Sequence, residues 1–118
     1  MRNRLAPHID FTELQGVIKS NPKLLPSNVD GIIERNGHFL VMEWKRLNES
    51  MNEGQKILLR SLSNTPKMIV LLIEGDTDNG MNVSKIYKIQ NDKLIAKGHC
   101  LDDLKWLIQI WYDHANKR

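Results

Sequence analysis

The sequence contains a single cysteine, Cys100, so no disulfide can form within the chain. A lone cysteine is typical of proteins from reducing compartments, which favours a cytoplasmic setting. No apolar run approaches the roughly 20 residues that a membrane-spanning helix needs. Residues 1–11 have no long apolar stretch after their arginines. We therefore expect neither association with a membrane nor a secretory signal.

Several catalytic signatures are also absent. The chain has no glycine-rich phosphate loop and no nucleophile elbow. Its histidines are scattered, without a pair at metal-ligand spacing. His99, Cys100 and Asp102 together could suggest zinc, but no second cysteine or histidine follows at ligand spacing. These absences weigh against a nucleotide-binding loop, a serine hydrolase and a zinc site.

The remaining composition is that of an ordinary soluble domain. Hydrophobic residues make up 41% and charged residues 26% of 118 residues, without internal repeats or low-complexity tracts. The net charge of +3 is compatible with a polyanionic partner but does not require one. We predict one domain over residues 1–118.

The first half of the chain predicts a helix, a hairpin and a second helix. Asp10 with Glu13 three residues later is a capping-box pattern, which predicts a helix over about 10–20. Asn36-Gly37 lies between two β-type runs and is a strong hairpin signal. A second helix follows over about 48–64, and one side of it carries an apolar stripe: Met51, Leu58, Leu59 and Leu62.

The second half predicts a strand, a second hairpin and a last helix. The continuous apolar run over 67–74 has strand length and is typical of a strand buried on both faces. Two more β-type runs flank Asn91-Asp92, and an amphipathic helix covers 101–116. We therefore predict an α/β fold with a mixed sheet between helices.

The first hairpin places charges among apolar residues. A two-residue loop at Asn36-Gly37 pairs Arg35 with His38 and, counting outward, Asp30 with Glu43. Because side chains alternate along a strand, Lys45 lies on the same face as Glu43. Like charges directly opposite each other destabilise a sheet, so the pattern requires an explanation.

A divalent cation would remove this repulsion. Mg²⁺ takes oxygen ligands and is often held by one or two carboxylates with water and substrate phosphate. A lysine beside them can contact the phosphate or orient the attacking water. This combination suits metal-assisted hydrolysis of a phosphodiester. The alternative is a solvated ion cluster, but Phe39 and Val41 share the face of Glu43 and Lys45, which argues against solvation.

Gln55 is a polar residue within the apolar stripe of the second helix, near its start. A side-chain amide that faces the sheet at this end can hold a metal-bound water or a phosphate. The alternative is a hydrogen-bonded core glutamine or a partner of the helix cap. The sequence leaves both interpretations open.

The segments "SNVDGII", "VMEWKR" and "MNEGQKILLRSL" resemble the PD-(D/E)XK nuclease superfamily. The glutamine in a leucine-rich helix is similar to the VRR-NUC branch and to branches of the Holliday-junction-resolvase type. The resemblance implies a restriction-endonuclease-like αβββαβ core over about residues 10–74, with the C-terminal β-hairpin and helix as additions. Val29 stands where the family often has proline.

The resemblance also implies roles for individual residues. Four residues match the catalytic positions of the family: Asp30, Glu43, Lys45 and Gln55. The two acids become ligands of Mg²⁺ or Mn²⁺, together with the backbone carbonyl of Trp44. Glu13 matches the acid that many members carry in their first helix, although the capping box already explains it.

The implied activity is that of a metal-dependent DNA nuclease, structure-selective and acting on branched DNA such as junctions or flaps. The alternatives are a nuclease acting on RNA or on DNA ends, and a non-catalytic nucleic-acid-binding module of the same fold. The basic residues expected to contact nucleic acid are Lys45, Arg46, Lys56, Lys85 and Lys88. Lysines on a hairpin can equally protect an edge strand.

A homodimer is the expected assembly. A core of this size has little room for a separate recognition domain, and pairing two active sites gives specificity for DNA shape. The C-terminal helix offers Trp106 and Trp111 as core or dimer contacts.

Overall fold

The computed structural model describes residues 9–117 and shows an α/β fold. A 3-10 turn at Thr12–Leu14 precedes strands β1 (Gly31–Arg35) and β2 (His38–Lys45), helix α1 (Glu53–Ser63), strands β3 (Met68–Asp76), β4 (Asn82–Gln90) and β5 (Lys93–Gly98), and helix α2 (Leu101–Ala115). Neither of the described α-helices combines the length and apolar character needed to span a bilayer.

The five strands form one mixed sheet in the order β1-β2-β3-β4-β5. Strands β2 and β3 are parallel, with α1 as the connection between them, and the other neighbours are antiparallel. The apolar run of β3 is buried from Val70 to Ile73 because it lies in the centre of the sheet. The predicted mixed sheet and C-terminal hairpin and helix are confirmed.

The two helices cover opposite faces of the sheet, as predicted. On the α2 face, buried side chains of β2, β3 and β4 pack with α2: Leu40, Leu71, Ile73, Ile86, Leu104, Trp111 and Ala115. On the α1 face, the buried cluster consists of Val41, Leu59, Val70 and Ile89. Trp44 packs on the α2 face, opposite to the face of Glu43 and Lys45.

Both predicted hairpins form with the expected turns. The register of the first confirms five pairs, from Arg35 with His38 to Gly31 with Met42. Asn36 and Gly37 have φ values of 52° and 80°, the left-handed conformation that a two-residue hairpin turn requires. Asn91 and Asp92 adopt the same region in the second hairpin.

The predicted helix over 10–20 is wrong. Asp10 accepts a hydrogen bond of 2.9 Å from the N–H of Thr12, but the turn ends at Leu14. Gly16 has a φ of +87°, outside the helical region, and its N–H donates to the carbonyl of Pro22. Val17 is 67% exposed. Two strands rather than three therefore precede α1, and the first helix of the predicted αβββαβ order is absent from the described residues.

Candidate active site

A cleft of about 1380 Å³ opens on the α1 face, between the segment 18–30 and helix α1. The four residues predicted to be catalytic all line this cleft: Asp30, Glu43, Lys45 and Gln55. The cleft continues over apolar side chains that include Phe39 and Val41 of β2. Because of the alternation along β2, these two share the face of Glu43 and Lys45, as predicted from the sequence.

Glu43, Lys45 and Gln55 contact one another. The ammonium Nζ of Lys45 donates a hydrogen bond of 2.8 Å to Oε1 of Gln55. The same Nζ lies 3.9 Å from Oε1 of Glu43, and Nε2 of Gln55 lies 3.5 Å from that oxygen. Glu43 is only 5% exposed and Lys45 only 9%. A surface ion cluster is excluded by this burial, so each charge depends on these partners.

Gln55 lies in the first turn of α1, and the cap of this helix fixes its position. Asn52 caps the helix by accepting a hydrogen bond of 2.8 Å from the N–H of Gln55 through its Oδ1. The backbone of Gln55 thus belongs to the cap, while its side chain reaches Lys45 and Glu43. Gln55 is therefore a cap partner and a hydrogen-bonded neighbour of Lys45 and Glu43, and its role in holding a metal-bound water or a phosphate stays a prediction.

Asp30 reaches the cleft in a different way from the predicted ladder pair. Strand β1 begins at Gly31, so Asp30 and Glu43 do not form a sixth β-pair. Instead Oδ2 of Asp30 accepts a hydrogen bond of 2.8 Å from the backbone N–H of Trp44. The carboxylate replaces the backbone partner that β1 no longer supplies to β2. It lies at the cleft with its position fixed by the strand that carries Glu43 and Lys45.

The donor set fits a hard divalent cation. Asp30 and Glu43 provide two carboxylates in one cleft, which is the usual protein contribution to a Mg²⁺ site. The backbone of Trp44 is tied to Asp30, and the role of its carbonyl as a ligand stays a prediction. Glu13 is exposed on the 3-10 turn and is not among the residues that line the cleft.

The predicted nucleic-acid contacts lie in different environments. Lys56 is exposed on α1. Lys85 and Lys88 are three residues apart on β4, so they point to opposite faces. Lys85 shares the α1 face with Ile89, whereas Lys88 shares the α2 face with Ile86. The structure therefore separates two lysines that the sequence treats alike.

Arg46 already has an acidic partner. Its guanidinium forms two hydrogen bonds with the carboxylate of Asp78, one of them from Nη2 to Oδ1 at 2.9 Å. The hydrogen bond to Asp78 raises the pKa of Arg46 above its ordinary value. A paired guanidinium is less available to a phosphate than the sequence suggested. The partner Asp78 lies 32 residues further on, in the β3–β4 loop, and no sequence signal indicates the pair.

The structure also brings an unpredicted acid to the α1 face. Glu74 of β3 is directly opposite Lys45 in the parallel pair and directly opposite Lys85 in the antiparallel pair. Its alternation with Val70 puts it on the face of Glu43. The sequence shows an acid at the end of an apolar run, but only the pairing of β2 with β3 reveals its neighbour.

A separate cluster of potential metal ligands lies at the start of α2, where His99, Cys100 and Asp103 have ligand atoms within 4.8 Å of one another. Among the residues described, no other group of three or more such side chains meets this distance. Asp103 accepts a hydrogen bond of 2.9 Å from the N–H of His99, which lowers the pKa of its carboxyl. This contact ties the first turn of α2 to the residue that follows β5, and Asp103 rather than Asp102 makes it.

No protein-family model, curated protein or solved structure matches this chain.

Proposed function

We propose that this protein is a metal-dependent nuclease that hydrolyses phosphodiester bonds in DNA. The observation that carries the proposal is the contact of buried Glu43 and Lys45 with Gln55 in the cleft that Asp30 also lines. A buried acid and amine linked by an amide, beside a second acid, make a site for a cation and a phosphate. A structural ion pair would need neither the open cleft nor Asp30.

Each residue has a separate task in the proposed reaction. Asp30 and Glu43 would hold Mg²⁺ or Mn²⁺, which when bound supplies positive charge beside the phosphate and makes a bound water more acidic. Lys45 places a compact positive charge where negative charge develops on a phosphate oxygen. Gln55 keeps the ammonium of Lys45 in place through the 2.8 Å hydrogen bond. This holding contact exists before substrate binds, so the lysine needs little reorganisation.

The substrate proposed is branched DNA, such as a junction or a flap. The net charge of +3 is compatible with a polyanionic partner, and Lys85 is an exposed positive charge on the same face of the sheet as Lys45. We further propose a homodimer, because two active sites can then act on one branched substrate. The single cysteine favours a cytoplasmic protein.

The test is cleavage of end-labelled linear, nicked, flapped and four-way DNA with Mg²⁺ and with EDTA. We expect Mg²⁺-dependent cleavage of the branched substrates, abolished in Asp30→Asn, Glu43→Gln and Lys45→Ala while circular dichroism shows folded protein. Asp102→Asn, an exposed acid on α2, is the charge-matched control and should cleave normally. Binding of these DNAs without cleavage by the wild-type protein would instead indicate a non-catalytic module. Cleavage of the corresponding RNAs, but not of the DNAs, would indicate that the substrate is RNA.

A further inference from the structure

Three side chains with different donor atoms come together where β5 ends and α2 begins. The ligand atoms of His99, Cys100 and Asp103 all lie within 4.8 Å of one another. Nδ1 of His99 is 3.3 Å from Oδ2 of Asp103. The ligands of a tetrahedral Zn²⁺, at bond lengths of about 2.0–2.3 Å, are roughly 3.3–3.8 Å apart. No separation in the cluster exceeds this spacing by more than about 1 Å, a distance that side-chain rotation can supply.

Gly98 allows the carboxylate of Asp103 to approach the backbone. A Cβ on Gly98 would lie 2.6 Å from Cβ of Asp103 and 3.1 Å from its Oδ2, so a larger residue would displace the acid. The N–H of His99 donates a hydrogen bond of 2.9 Å to the same Oδ2, and the thiol of Cys100 also donates to this carboxylate. These contacts hold Asp103 beside His99 and Cys100 before any ion binds.

Helix capping does not explain the cysteine. Cys100 occupies the N-cap position of α2, but its side chain accepts no hydrogen bond from the backbone N–H groups of the first turn. Serine, threonine, aspartate and asparagine are preferred at this position because their side-chain oxygen accepts such a bond. A thiolate, in contrast, is a strong ligand for a metal. The cysteine therefore fits a metal site better than it fits a cap.

The donor set selects the metal. One nitrogen, one sulfur and one oxygen ligand together suit Zn²⁺, whereas Mg²⁺ takes oxygen ligands. A thiolate and a carboxylate carry two negative charges, which match the two positive charges of the ion. The side chain of His99 is 84% exposed and that of Asp103 is 36% exposed, so an ion can reach the cluster from solvent. The cluster thus differs in chemistry from the cleft, where two carboxylates suit a hard cation.

We propose that His99, Cys100 and Asp103 form a Zn²⁺ site with three protein ligands and a water in the fourth position. On binding, the thiol of Cys100 gives its proton to water as its sulfur coordinates the ion, without electron transfer. The ion would connect the end of β5 to the first turn of α2. The proposal is independent of the nuclease function, because the three residues are not among those that line the cleft.

Titration of the full chain with ZnCl₂ tests the site. The buffer is reducing and contains a large excess of Mg²⁺, and calorimetry measures the binding. We expect one Zn²⁺ per chain in wild type. His99→Gln, Cys100→Ser and Asp103→Asn should each raise Kd at least about tenfold, since even residues that only support a metal ligand contribute this much. Absence of saturable binding would overturn the proposal, as would an unchanged Kd in any of these variants while circular dichroism shows folded protein.

Two control variants test whether Zn²⁺ binds elsewhere. Asp102→Asn removes the neighbouring charge but no proposed ligand. His114→Gln removes one ring of the pair formed by His38 and His114, whose ring centroids are 5.6 Å apart. Both variants should bind Zn²⁺ with the Kd of wild type. If His114→Gln abolishes binding, the ion lies at the histidine pair and the proposed site is wrong.

The thiol provides a second measurement, because Cys100 is the only cysteine of the chain. Its alkylation by iodoacetamide therefore reports on this position alone. We expect saturating Zn²⁺ to slow alkylation at least about tenfold, because a metal-bound sulfur is no longer a free nucleophile, and Mg²⁺ to leave the rate unchanged. Asp103→Asn at the same concentration of Zn²⁺ should lose most of this protection. Alkylation of wild type at the metal-free rate, with Zn²⁺ bound, would show that the sulfur is not a ligand and would overturn the site.

Discussion

The ammonium Nζ of Lys45 donates a partly buried hydrogen bond of 2.8 Å to Oε1 of Gln55, so a strand and the first turn of a helix are in direct contact. The link depends on the cap of α1, because Asn52 sets the position at which Gln55 enters the helix. The chemistry of the site and the geometry of the helix start are therefore coupled. A change at Gln55 should be visible in both.

Gln55→Ala tests this coupling. The substitution removes the acceptor from a buried charged donor, and hydrogen bonds to charged groups contribute roughly 1.5–3 kcal/mol. If all of this free energy stabilises the transition state, its loss lowers kcat roughly ten- to hundredfold. We expect a larger loss of kcat for Lys45→Ala. Gln109→Ala on α2 is the matched control for the helix propensity of alanine and should retain full activity. A Gln55→Ala protein that is strongly destabilised but fully active would make Gln55 a structural residue only.

The sequence was sufficient for the parts of the fold that local chemistry determines. Asn36-Gly37 can adopt the positive φ values of a tight turn, and this turn fixes the register of β1 with β2. The alternation of side chains along β2 puts Glu43 and Lys45 on one face. The apolar stripe of α1 in the same way indicated that Gln55 faces the sheet. Turn geometry and side-chain periodicity are local rules, so they could be applied without knowledge of the tertiary structure.

Other features depend on long-range contacts or on competing local ones. The capping box at Asp10 was present, but Gly16 adopts a positive φ and no apolar face is buried, so no helix follows. The carboxylate of Asp30 binds the N–H of Trp44 instead of facing Glu43 in a ladder. Glu74 becomes the register partner of Lys45 only through the parallel pairing of β3 with β2. No periodicity in the sequence contains this information.

The two lysines of β4 provide a matched pair for nucleic-acid binding. Lys85 lies on the face of the cleft and Lys88 on the opposite face, yet each substitution to alanine removes one positive charge. We expect Lys85→Ala to weaken binding to DNA and to reduce the slope of log K against log salt by about 0.9, the value for one phosphate contact on a duplex. Lys88→Ala should keep the wild-type slope. Fluorescence anisotropy at several salt concentrations measures the DNA binding of both variants. Equal effects of the two substitutions would indicate that only the net charge matters.

Because Asp78 pairs with Arg46, we expect that removal of the Asp78 carboxylate will strengthen the binding of DNA. Asp78→Asn removes the carboxylate that binds the guanidinium of Arg46. The pair with Asp78 raises the pKa of Arg46 above its ordinary value, and arginine stays charged at neutral pH without such a partner. We expect tighter DNA binding at low salt and a steeper salt dependence. The double variant Arg46→Ala/Asp78→Asn should lose this gain. If the gain persists without Arg46, the freed arginine is not its cause.

Exposed apolar residues on the outer side of α2 are the expected contact surface of the homodimer. Trp111 is 5% exposed and belongs to the core, so it is not available to a second copy. Trp106 is 62% exposed and lies one turn before Ile110, which is 43% exposed. We expect the wild-type protein to be a homodimer and Trp106→Ser to be a monomer. Light scattering distinguishes the two, since the mass of one chain is 13.7 kDa. Leu94→Ser, at an exposed position on β5, is the control and should stay dimeric. A monomeric wild type would contradict the expected assembly.

Melting with and without Mg²⁺ tests whether Asp30 and Glu43 share a cation. With a Kd on the order of 1 mM, about 10 mM Mg²⁺ stabilises the folded state by RT ln(1 + [L]/Kd), about 1.4 kcal/mol. For a domain of this size the rise in Tm is roughly 4–8 °C.

Two substitutions of Asp30 separate its contact with Trp44 from binding of the cation. In EDTA, the free energy of unfolding of Asp30→Asn should lie within about 0.5 kcal/mol of that of wild type, because the amide oxygen of asparagine can still accept from the N–H of Trp44. Asp30→Ala loses that acceptor and should be about 1 kcal/mol less stable. Both variants should lose most of the rise in Tm with Mg²⁺, since both lack the charged ligand. If Asp30→Asn keeps the full rise, Asp30 does not bind the cation, and its only role is to hold Trp44.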